Sequence, residues 1–162
     1  KFKNKFKYRF DKRSKFIQTF PAFGTYEKKS TLYLRMDRST SLYSVFRRSI
    51  LKKCMIVTPF GGSDLAIILN ALKHGDIHVV DEILMKKYLG GYSSNGIISH
   101  LKNQNTGKIG LVFVNLPFTI WCAKNLGKRI FLKNWDWFII INIYGAFLIS
   151  SDLIQILKKR FS

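Results

Sequence analysis

The sequence predicts a single three-layer α/β domain, a parallel sheet flanked by helices, behind a basic N-terminal arm. Three observations carry that expectation. Short β-rich apolar runs alternate with amphipathic stretches of about three turns, the rhythm of βαβ units. Gly, Pro, Ser and Asn punctuate the joins between them. The chain has 162 residues, 47% of them hydrophobic, enough for one domain with a real core.

The arm covers residues 1–22 and the domain residues 23–162. Within the domain, "STLYLRM" (30–36) alternates like a strand. "DRSTSLYSVFRRSILKK" reads as a helix with Ser39 or Thr40 as N-cap and Leu42, Val45, Phe46, Ile50 and Leu51 on one stripe. "CMIV" (54–57) is a short buried strand, and "TPFGGSD" turns the chain into a helix, "SDLAIILNALKHG", capped by Ser63 and stopped by Gly75. "DIHVVD" and "GLVFVN" are the next strands; "TIWCAKNLG" is a helix ending at Gly127; "RIFL" is a strand. "SSDLIQILKKRF" is a last helix capped by Ser151.

Charge narrows the function. Against 9 Asp and Glu stand 28 Lys and Arg, a net charge of +19. So much like charge repels itself, which makes a polyanion the expected partner. The arm, "KFKNKFKYRFDKRSKF", sets Lys1, Lys3, Lys5, Lys7, Arg9, Lys12, Arg13 and Lys15 among Phe2, Phe6, Tyr8, Phe10 and Phe16. Cations for phosphates and rings for unpaired bases fit RNA contact. An organellar targeting peptide is also basic and acid-poor, so that alternative stays open.

Catalysis has no advocate among the residues. Gly61 and Gly62 follow neither the dinucleotide fingerprint nor a P-loop. His74, His78 and His100 have no ligand-like pairing, and Asp81 and Glu82, adjacent on a strand, point to opposite faces. Cys54 and Cys122 lack metal-ligand spacing and read as buried and reduced. Neither metal nor cofactor is expected. "WDWFIIINIYGAFLISS" is apolar over about 13 residues, short of the roughly 20 that span a bilayer. A buried strand and turn explain it, with no membrane span. Trp135, Trp137 and Phe138 are expected to meet a neighbouring protein chain, because this much exposed apolar surface invites association.

"VVDEILMKKYLGGYSSNGIISHLK" carries the most specific signal. Gly90 and Gly91 permit a close backbone approach, Lys86 and Lys87 neutralise phosphate, and Asn95 suits a helix N-cap. The segment resembles the signature of the small-subunit ribosomal protein S-two family, bacterial type: Lys87, Tyr88, Leu89, Gly90, Gly91 and Asn95 match in kind, and Ser94 replaces a Thr. "CMIVTPFGGSDLAIILNALKHGDIHVVDE" is similar to that family's strand-turn-helix-strand, and Ala123, Asn125, Leu126 and Gly127 follow its later helix. The likeness runs in order from Phe23 to Phe161. "GIISHLKNQNTGK" is too short for the family's long helical hairpin, and "NWDWFIIINIY" replaces its polar Asp-Thr-Asn loop.

The resemblance implies a flavodoxin-like sheet and a non-catalytic structural role in an organellar, mitochondrial small ribosomal subunit. It implies ribosomal RNA and neighbouring ribosomal proteins as partners rather than a free homo-oligomer. Lys86, Lys87, Tyr88, Gly90, Gly91 and Asn95 join the arm as the expected RNA contacts. The alternatives are a nucleotide-binding α/β enzyme and a basic protein of a membrane surface.

Overall fold

A computed structural model describes residues 21–36, 39–80, 82, 98 and 113–161. Six α-helices and one 3-10 turn account for their regular structure. Helix α1 (Tyr26–Met36) is followed by the 3-10 turn Ser39–Tyr43, then α2 (Arg48–Cys54) and α3 (Ser63–Ala71). After the intervening residues come α4 (Leu116–Asn125), α5 (Lys128–Lys133) and the long α6 (Trp135–Phe161).

Helix α3 forms the centre. Leu65, Ala66, Ile67, Ile68 and Leu69 are all buried, so the helix is apolar on every side and needs neighbours around it. It packs against the 3-10 turn, α1, α2 and α4. Helix α1 turns Tyr33 and Leu34 inward, one turn beyond Lys29 and Ser30 on the same face. Phe118 and Cys122 of α4, Ile130 of α5 and Phe138 of α6 complete the core.

The joins follow local chemistry. Gly62 takes φ 92° at the entry to α3, a left-handed conformation that favours glycine. Beside it the Ser63 hydroxyl donates to the Phe60 carbonyl at 2.8 Å and accepts the Phe60 N–H at 2.7 Å. Pro117 occupies the first turn of α4, where its missing N–H has no intrahelical partner to lose. The buried Lys29 ties α1 to the segment after α3, its Nζ donating to the Gly75 carbonyl at 2.6 Å and to Asp76 at 2.9 Å. Glu27 receives Arg129 at 3.0 Å and Lys133 at 2.9 Å, fastening α1 to α5, and Arg35 holds Asp136 through two bonds of 2.7 and 2.9 Å.

The expected α/β architecture with its flavodoxin-like parallel sheet is overturned: the described residues contain no strand or sheet, only an antiparallel bridge between Ala22 and Ile77. "STLYLRM" lies inside α1, and "RIFL" lies inside α5. In "CMIV" Cys54 closes α2, while Met55 and Val57 face solvent. "DIHVVD" contributes the single bridge residue Ile77. The expected strand and turn at 135–149 and the separate helix capped by Ser151 are one continuous helix, α6. The cause is common to these differences. A run of four to seven residues is too short to fix a period, whether it alternates as "STLYLRM" does or is unbroken as "RIFL" is, and tertiary packing decides its state.

The helix expected over "DRSTSLYSVFRRSILKK" is divided. The 3-10 turn ends at Tyr43, and Val45 is fully exposed rather than on the apolar stripe. The helices expected at "SDLAIILNALKHG" and "TIWCAKNLG" are present as α3 and α4, although the cap position of α3 belongs to Gly62 rather than Ser63.

Candidate functional site

The arm residues Lys1, Lys3, Lys5, Lys7, Arg9, Lys12, Arg13 and Lys15 lie outside the described residues. So do Lys86, Lys87, Tyr88, Gly90, Gly91 and Asn95. Of the expected sites, only the aromatic one can be placed. Trp137 and Phe138 pack inward, Phe138 3% exposed and stacked on Phe131 at 4.7 Å, while Trp135 stands 59% exposed. Phe138 belongs to the core, Trp137 is partly buried against it, and Trp135 is the one of the three that faces outward.

Among the described residues, cations are divided between structural and free ones. Lys29, Arg35, Arg129 and Lys133 make the ion pairs. Arg47, Arg48, Lys52 and Lys53 are exposed on and beside α2, with no acidic partner among the described residues. One turn brings Arg48 and Lys52 onto the same side of the helix. Lys52 and Lys53 also complement the negative end of the helix dipole. This cluster is visible in "RRSILKK" as two pairs of cations flanking three residues, but a reading of the segment as a plain amphipathic helix absorbs it.

No group of three His, Cys, Asp or Glu side chains among the described residues is placed to hold a metal. Both cysteines are buried. Burial alone pushes the Cys122 thiol far up, and burial also raises Cys54, partly offset by Lys73. Thiolate chemistry is thereby suppressed at both positions. Burial likewise raises the Tyr26 phenol to about 12.

The second feature is α6. From Trp135 to Lys158 it is long and apolar enough to cross a membrane by length and composition, and 11% of its most apolar window is buried. Its inner side is well made. Asn115 Nδ2 donates to the Ile141 carbonyl at 2.7 Å, and Asn142 Nδ2 donates to the Phe138 carbonyl and to Thr119 Oγ1, both at 2.8 Å. Beside this seam an open groove of about 390 Å³ is lined by Thr119, Phe131, Trp135, Phe138, Ile139, Asn142 and Ile143.

The fold and these two surfaces define a helical domain with a cationic cluster on α2 and a long apolar helix at one side. No protein-family model, curated protein or solved structure matches the chain.

Proposed function

We propose that the protein is a non-catalytic RNA-binding structural component, and that its RNA is that of an organellar small ribosomal subunit. The observation that carries this reading is the excess of 28 Lys and Arg over 9 Asp and Glu. A helical domain with that excess gains by neutralising a dense row of phosphates and releasing their counterions. The interleaved rings and cations of the arm, and the likeness of the Lys-Tyr-Leu-Gly-Gly segment to the ribosomal family, support RNA over other polyanions. The ribosomal seat rests on that segment and on charge; the sheet that the same resemblance implies is absent among the described residues. Lys and Arg contact backbone phosphates of folded RNA, with few base-specific bonds.

The α2 cluster gives a direct test. Replacing Arg47, Arg48, Lys52 and Lys53 with Gln should reduce the slope of log K against log salt for a structured ribosomal RNA fragment by about 3. An unchanged slope would mean that α2 faces away from the RNA. For the ribosomal seat, the tagged chain should co-sediment with the small subunit. Migration only at the top of the gradient would remove the ribosomal reading and leave RNA binding to stand on the slope alone.

A further inference from the structure

We propose that the outward face of α6 is seated in an anionic lipid bilayer, with the helix lying along the membrane and the rest of the domain on the aqueous side. The inference is independent of the RNA reading and rests on how α6 divides its two sides. Trp135, Ile139, Ile143, Phe147, Ile154 and Leu157 are all exposed large apolar side chains. At 100° per residue they fall within one third of the helix circumference, and they form a stripe about 33 Å long.

The opposite side is occupied. Phe138 and Ile141 enter the core, and Asp152 Oδ2 accepts the Ile98 N–H at 3.3 Å. The chain is therefore docked along α6 from Phe138 to Asp152, about 21 Å of its length. That docking decides orientation. An upright, spanning α6 would draw α4 and α5, with the exposed Lys124 and Lys128 and the Arg129–Glu27 ion pair, into hydrocarbon, where charged groups are costly. Lying flat, the helix inserts one apolar face to the depth of the headgroup boundary and keeps those cations wet. The docked domain takes the place of the polar face that an isolated interfacial helix needs.

Chemistry favours lipid over a protein partner. A protein interface of this length pairs its apolar centre with hydrogen bonds. The stripe offers little to direct such pairing: the Asp136 carboxylate at its start is already held by Arg35, the Ser150 hydroxyl, on the same side, donates to the Ala146 carbonyl at 3.0 Å, and Asn142 is bonded within the domain, which leaves the Trp135 indole N–H at one end as the exposed donor. Hydrocarbon makes no directional demand. Trp135 at one end and Tyr144 beside the stripe suit the headgroup level, while Lys158 stands at the other end. The net charge of +19 supplies attraction to an anionic surface.

The test uses the full chain with single cysteines placed at Ile139, Phe147, Leu157 and, as a control, the fully exposed Val45. Cys54 and Cys122 are 0% exposed and so stay unlabelled by an environment-sensitive fluorophore. With vesicles of phosphatidylcholine and phosphatidylglycerol, the labels at 139, 147 and 157 should blue-shift and be quenched to a similar degree by brominated lipid at one shallow depth, and the label at 45 should not. Ile143→Lys with Phe147→Lys should weaken vesicle binding about tenfold or more. A label at 147 far deeper than those at 139 and 157 would overturn the flat seat in favour of a span. Labels indifferent to vesicles would overturn lipid in favour of a protein partner. Blue shifts without lipid that grow with protein concentration would assign the face to a second copy. Equal binding to pure phosphatidylcholine would overturn the anionic surface.

Discussion

Helices α3 and α6 are both apolar with few interruptions, yet they end in opposite environments. In α3 the run Leu65 to Leu69 is buried without a break, because α1, α2, α4 and the 3-10 turn surround it. In α6, Phe138 is buried while Phe147 is 67% exposed, because neighbours cover one side only. Apolar composition alone therefore does not locate a core. What distinguishes the two helices is how many other elements the chain can bring around them, and a nine-residue helix is far easier to surround than one of 27.

The largest effect expected from this contrast is on stability. Ile68→Ala, at a site with no exposure, should cost about 2–5 kcal/mol through lost burial and an unfilled cavity. Ile143→Ala, on the outward stripe of α6, should stay within about 0.5 kcal/mol in the absence of lipid. Urea unfolding of the two variants measures both numbers. Equal losses would break the comparison, because they would place Ile143 in a core that forms in solution.

A pair of glycines sharpens it. A methyl group on Gly62 meets the Phe118 ring at 3.0 Å, on a backbone at φ 92°. Gly62→Ala should therefore destabilise by about 1–3 kcal/mol. On α6 a methyl at Gly145 meets Asn115 Nδ2 at 2.8 Å, the amide that holds the Ile141 carbonyl. Displacing that amide loses about 1 kcal/mol, but replacing Gly by Ala inside a helix returns about as much. Gly145→Ala should accordingly lie within about 1 kcal/mol of the parent in thermal unfolding. A loss as large as that of Gly62→Ala would show that α6 docks as rigidly as α3.

The sequence makes part of this contrast legible. Helices α3 and α4 carry boundary residues, with "GGSD" before one, Pro117 opening the other and Gly127 following it, and those signals survive any packing. Helix α1 reads as a strand because Leu32, Leu34 and Met36 alternate, although Ser30, Tyr33 and Leu34 have helical spacing and are the residues buried. Helix α5 is hidden because "RIFL" within it is four residues with no room for a period; Arg129 and Lys133, four apart and both on Glu27, are its helical signature. Helix α6 is apolar all round over its first half, so periodicity does not tell it from a buried strand. The site divides the same way. Trp137 and Phe138 read as a surface while the segment is a short apolar insertion, whereas a helix turns them under Phe118 and Phe131. The α2 cations are in plain view, but their lack of acidic partners among the described residues emerges only when the other pairs are placed.

The smallest expected effect is on a tie outside both helices of the comparison, the ionic contact between α1 and α5. The hydrogen bond from Lys133 is the main cause that holds the Glu27 carboxyl below the usual carboxylate value, with help from the charges of Arg129 and Lys133. A carboxyl depressed in the folded chain binds fewer protons than in the unfolded one, so its contribution is fully present above the unfolded value near 4.5 and fades as pH falls through the folded value. The group is solvent-accessible, so the gain is modest and screened by salt. Glu27→Gln should lower Tm slightly at pH 6, and the gap from the parent should close as the pH drops toward 3. Raising the salt concentration at pH 6 should narrow the same gap. A difference that persists unchanged at pH 3 would assign the effect to packing of the side chain between α1 and α5, and the tie would then owe nothing to charge.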